Sequence, residues 1–236
     1  ITGQMDCPLL RPGFVGRGEL LGKLKLIVSE TNAEWSKRFG INRSASDTTV
    51  KPSGNSSQLL NCSSGIHSRY SPYYIRRARC AVPDPVAMLL KDEGVPWNVD
   101  PMNSSLLVFD FPDKSPEGSP TSNDMSAIEQ LENWLVWKTT WAEHSVSCTI
   151  YVEDDEWFEV GNWVYSHWDE IGCLSFLPKD NGSYQLSPYE EITEEEHKEL
   201  SSTFPKINWA KLKRYEREDM TTSAQEYSCV SGICEL

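Results

Sequence analysis

The chain has 236 residues, 39% of them hydrophobic, with nine Trp and nine Tyr: enough core material for one large domain or part of a larger one. A formal net charge of −13 argues against a broad nucleic-acid surface, which needs Lys and Arg to displace counterions. No apolar run approaches a membrane span, no basic-then-apolar leader is visible, and seven scattered cysteines do not make a disulfide framework, so the reading is a protein of the reducing cytoplasm.

Residues 1–20 are rich in Gly and Pro and read as an irregular lead-in. Between Leu20 and Phe39 the apolar period is mixed, residues 33–39 look helical, and Gly40 is a plausible stop. Residues 41–51 run extended, with β-formers at Thr48, Thr49 and Val50. Pro52, Ser53, Gly54, Asn55, Ser56 and Ser57 follow, then Gln58-Leu59-Leu60 starts a helix. Strand, small polar turn and helix start make the layout of an anion cradle, because the first N–H groups of a helix lack partners within it. The same wording also makes an ordinary capped turn. A second tight turn follows at Ser64-Gly65-Ile66-His67, and then Arg69, Arg76, Arg77 and Arg79 supply the densest positive charge in the chain. His67 could touch a phosphate or steady its own turn. Arg76 and Arg77 could meet phosphate or the acidic surface.

Further on, residues 86–90 form a short helix, and residues 106–111 are a buried-strand candidate ended by Pro112. Residues 112–123 read as a surface loop. Asp124 or Ser126 caps the next helix, whose Ile128, Leu131, Trp134 and Leu135, extended by Trp141, form an apolar stripe of core residues. Strands are expected at 147–152 and 171–177, with a helix over 156–168 between them and Asp154-Asp155 as a turn. Cys80, Cys148 and Cys173 read as small buried groups. The glutamates from 190 to 199 read as a solvated helix face, opened by a capping box at Thr193 and Glu196. From residue 216 the text is polar, with little fixed structure expected, and it closes with Cys229 and Cys234. No His or Cys cluster completes a metal site near that pair.

Taken whole, PSGNSSQLLNCSSGIHSRYSPYYIRR resembles the adenosylcobalamin-dependent (class II) ribonucleotide reductases, and the monomeric ribonucleoside-triphosphate reductases in particular. The run from Thr149 to Thr193 resembles the final strands and helices of that family. The Cys-x4-Cys close resembles its mobile C-terminal dithiol. The family has Thr where this chain has Asn55. The resemblance implies the C-terminal part of the ten-stranded α/β barrel of ribonucleotide reductases, over residues 1–215, with a flexible redox tail over 216–236. It implies adenosylcobalamin as cofactor and ribonucleoside triphosphates as substrates, held by Pro52, Ser53, Gly54, Asn55, Ser56 and Ser57. It also implies a thioredoxin-like reductant acting through Cys229 and Cys234. No Asn-x-Cys-x-Glu arrangement occurs, so the radical cysteine is expected on an N-terminal portion, in the same or a separate chain. Rival readings are a non-catalytic nucleotide- or phosphate-binding partner and a thiol-redox module.

Overall fold

The structure, a computed structural model, describes residues 1–54, 56–179 and 185–216. In chain order its helices are α1 (Arg17–Phe39), α2 (Ser56–Leu59), α3 (Pro85–Asp92), α4 (Ala127–Thr140), α5 (Trp157–Ser166) and α6 (Glu194–Thr203). The strands are β1 (Tyr73–Ala81), β2 (Trp97–Val99), β3 (Leu106–Lys114), β4 (Thr149–Val152), β5 (Ser175–Pro178) and β6 (Tyr189–Glu191). Two compact units result. The first takes Ile1–Arg69 and the described part of Pro116–Asp180; the second takes Tyr70–Ser115 and residues 185–216.

In the first unit α1 is one helix of 23 residues, longer than its mixed apolar period suggests. Glycines with left-handed backbone bound it at both ends, Gly16 at φ 89° and Gly40 at φ 66°, and the Gly40 N–H bonds back to Lys37 and Ser36 carbonyls. Only Leu21 and Ser36 of α1 are fully buried, so the face that packs is narrow and the pattern weak. Helix α4 starts at the expected cap: Ser126 Oγ accepts from the Glu129 N–H while the Glu129 carboxylate accepts from the Ser126 N–H. Trp134 and Trp137 are fully buried beside Leu21, Leu131, Ile150 and Val152. The Trp134 indole donates to the Val146 carbonyl at 2.9 Å, which lets so large an amphipathic ring sit inside. Strands β4 and β5 pair in parallel, Ile150 opposite Phe176, and α5 connects them as parallel strands require. Asp154 and Asp155 lie in the turn entering α5, as expected. On α5, Val160 and Trp163 are buried, while Trp168, just past the helix end, stands 70% exposed.

The second unit is an antiparallel sheet of order β2-β3-β1-β6. Two of its strands, β1 and β6, carry charged residues where the sequence suggests only a basic run and an acidic one. The register explains them, because it sets Arg77 opposite Asp110. Arg77 Nε donates to Asp110 Oδ1 at 3.1 Å and its Nη2 to Glu190, while Arg79 Nε reaches Asp100 Oδ2 at 2.7 Å. Arg77 and Arg79 thus each have a carboxylate partner, though at Asp110 burial outweighs Arg77 and raises the carboxyl's pKa. Strand β3 continues through Pro112 to Lys114, past the expected end. Strand β2 pairs no further than Phe109, so Pro112 lies where β3 has an open side and a missing N–H is tolerated. Ala87, Leu90, Val95, Leu107 and Phe109 form the small core. Helix α3 is capped by Asp84, and α6 by the expected box of Thr193 and Glu196; α6 buries none of its residues.

Arg69 and Thr121 are joined by an isolated bridge, and the Ser115 N–H donates to the Pro72 carbonyl. Among the described residues no helix is long and apolar enough to cross a membrane.

Candidate functional site

The polar turn at 52–57 belongs to the first unit. Residues 48–51 enter it extended but outside any strand; the Lys51 N–H donates to the Ile1 carbonyl and the Thr48 hydroxyl to the Trp141 carbonyl. Val50 and Pro52 are buried and fasten this approach to the core. Ser53 Oγ accepts from the Ser56 and Ser57 N–H groups at 2.9 and 3.2 Å, so Ser53 caps α2. The Ser57 hydroxyl is fully buried and donates to the Ser53 carbonyl, which spends it inside the protein. Gly54 and Ser56 are exposed. A Cβ built on Gly54 meets nothing within 4 Å, so the turn has open space on its outer side. Asn55 lies outside the described residues, as do Cys229 and Cys234.

Beneath this turn lies the segment 61–65, which runs into the expected second turn at 64–67, closed by the His67 N–H on the Ser64 carbonyl at 3.0 Å. Asn61 has φ 47° and Gly65 φ 58°, both left-handed. A Cβ on Gly65 would stand 3.2 Å from the Pro52 main chain, so the two turns touch where only glycine fits. The Ser64 hydroxyl accepts from the Ser53 N–H at 2.9 Å and faces the Ser53 carbonyl at 3.2 Å.

Residues 2–6 hold the second turn from the other side. The Gly3 N–H donates to the Ser63 carbonyl, the Gln4 N–H to the Gly65 carbonyl and the Gly65 N–H to Thr2 Oγ1. Asp6 accepts from Arg69 Nε and Nη2 at 3.1 and 2.9 Å, from the Ser63 N–H at 2.6 Å and from the Ser119 hydroxyl at 2.9 Å. Arg69 also donates to the Asn61 carbonyl at 2.7 Å. Burial would raise the Asp6 pKa; Arg69, Ser63 and Ser119 outweigh it and hold the carboxyl below its usual range. Asp6, Thr2 and Ser119 carry no signal in the sequence, because their partners lie tens of residues away.

His67 is a turn-holder. Its Nε2 accepts from the Thr149 N–H at 2.9 Å, so the ring proton is on Nδ1 and is donated to the Ser64 carbonyl, also at 2.9 Å. Burial pushes its pKa down, which keeps the ring neutral. Burial likewise pushes the Cys148 thiol up to about 12 and the Cys80 thiol to about 11, so neither is a thiolate at neutral pH. Cys173, expected inside, is exposed: it follows the 167–172 turn rather than pointing into the core beside β5. Among the described residues no group of His, Cys, Asp or Glu could hold a metal ion.

The fold has a match among solved structures. A B12-dependent (class II) ribonucleotide reductase crystal structure aligns over 86% of this chain with a TM-score of 0.73 and 28% identity. The described architecture is thus the mixed α/β architecture of part of that class, and no closed barrel forms from the described strands. In sequence, the chain is 30% identical over 92% of its length to the adenosylcobalamin-dependent ribonucleoside-triphosphate reductase of Lactobacillus delbrueckii subsp. bulgaricus. It is 25% identical over 99% of its length to that of Lactobacillus helveticus, and 28% over 79% to a probable one of Dictyostelium discoideum. The chain is a homologue of these reductases and spans about 30% of their length. No family model matches it.

Proposed function

We propose that the chain is the C-terminal portion of an adenosylcobalamin-dependent reductase that converts ribonucleoside triphosphates to 2′-deoxyribonucleoside triphosphates. Its turn at 52–57 receives the substrate's phosphates. The observation that carries this is the contrast within the turn: bonded throughout on its inner side and open around Gly54 on its outer side. A phosphate that takes the place of Ser53 Oγ meets the Ser56 and Ser57 N–H groups at the start of α2, beside the exposed Gly54. Rigid support beneath the turn matters because placing a substrate accurately supplies much of an enzyme's rate.

Bound adenosylcobalamin supplies the radical that starts such a reaction.

Cys229 and Cys234 carry electrons to the active-site disulfide. A tail thiolate attacks that disulfide, the second tail thiol resolves the mixed disulfide, and the active-site pair leaves reduced with two electrons and two protons. A thioredoxin-like dithiol then reduces the tail.

The test uses the assembled reductase. Gly54→Val should weaken nucleotide binding and leave the fold intact, since its side chain meets only open space in the free protein. Unchanged affinity in a folded variant would leave the turn a helix cap. Replacing Cys229 and Cys234 by Ser should stop turnover driven by a protein dithiol and spare part of that driven by a small one. Equal loss with both would mark the tail as structural.

A further inference from the structure

We infer that Ser64 is a positioning residue for the phosphate turn, an inference that rests on the role just proposed for residues 52–57. Ser53 is the residue on which that turn hangs, because its hydroxyl organises the Ser56 and Ser57 N–H groups. Its own N–H is taken by the Ser64 hydroxyl at 2.9 Å, and the same hydroxyl donates to its carbonyl at 3.2 Å. One side chain therefore bonds both main-chain groups of Ser53 and restrains the φ and ψ of that residue.

Ser64 is itself fixed. Its carbonyl accepts from the His67 N–H at 3.0 Å and from the His67 ring at 2.9 Å, and that ring is tied to Thr149 at the start of β4. On either side, Ser63 is bound to Asp6, and Gly65 packs on Pro52. The contact from strand β4 to the outer turn thus runs through His67, Ser64 and Ser53. In that series the Ser64 hydroxyl is a small contact that can be removed without emptying a core position.

A serine that only stabilised the fold would affect every ligand alike. A serine that places the phosphate turn affects only ligands that carry phosphate. Equilibrium binding to the whole reductase, of a ribonucleoside triphosphate and of the unphosphorylated ribonucleoside, separates the two. Ser64→Ala should weaken the triphosphate roughly tenfold, the scale of one net hydrogen bond, and leave the nucleoside unchanged. Ser64→Thr, which keeps the hydroxyl, should restore most of the loss. Amide exchange at Ser53 should speed up in Ser64→Ala. Should that variant fail to fold, Ser64→Cys, of similar size and much weaker as an acceptor, is read in the same way. Equal weakening of both ligands, or of neither, overturns the inference. If Gly54→Val weakens the triphosphate and Ser64→Ala does not, the phosphate turn stands and the role of Ser64 falls. If Gly54→Val has no effect, both fall.

Discussion

The turns at 52–57 and 61–65 are built from similar residue types and serve opposite ends. Gly54 in the outer turn has an ordinary φ and open space around it; Gly65 in the inner turn has φ 58° and the Pro52 main chain 3.2 Å from where a Cβ would be. The outer turn carries no charge of its own, while the inner one rests on the Asp6–Arg69 pair and on His67. Similar composition does not mean identical demand: one glycine is required by the fold, and the other leaves room for something that is not part of the fold.

The largest break in this contrast comes from the charge beneath the inner turn. Arg69→Ala leaves the Asp6 carboxylate half-buried without its partner and should cost about 3–5 kcal/mol in urea unfolding. Gly65→Ala comes next. A non-glycine residue held in left-handed backbone against a close main-chain neighbour should lose about 1–3 kcal/mol, read as a lower midpoint of thermal unfolding.

His67 sharpens the contrast through pH. Its folded pKa is lowered by burial, so the unfolded chain binds more protons as pH falls below the ordinary histidine value of about 6.5. The stability contributed by the neutral ring is complete above that value. It is lost as pH drops toward the folded pKa, at no more than about 1.4 kcal/mol per pH unit. His67→Gln should flatten that slope between pH 7 and 5, measured by urea unfolding at each pH. Asp6, whose carboxyl is held low, loses its contribution in a separate window, below about pH 4. The smallest effect falls on the outer turn: Gly54→Ala should change unfolding free energy by less than about 0.5 kcal/mol.

Local signals made much of this legible. The Ser126 cap, the Thr193 box, the buried Trp134 and the tight turn at 64–67 are all written within a few neighbouring residues. What was not legible depends on partners far away. Strand β1 reads as a run of arginines until Asp110, Glu190 and Asp100 are brought against it. Helix α1 hides its length because it buries one narrow face. Asp6 gives no hint that it anchors Ser63, Arg69 and Ser119. In the candidate site, the small residues of the turn could be read in order, and the frame that holds them could not.

The bridge between Arg69 and Thr121 bears on how the chain finds this arrangement. From the first unit's standpoint, residues 70–115 are a loop that must be closed before Arg69, Asp6 and Ser119 can meet, and closing a long loop costs entropy before any contact repays it. The β1–β3 ladder runs from Ala81↔Leu106 to Tyr73↔Lys114 and carries on as the bond from Ser115 to Pro72. Zipped in that direction, it draws the two ends of the loop together before the first unit needs them. Weakening the ladder should therefore slow the arrival of a tryptophan signal from Trp134, a residue the ladder does not contain, and leave its unfolding rate less affected.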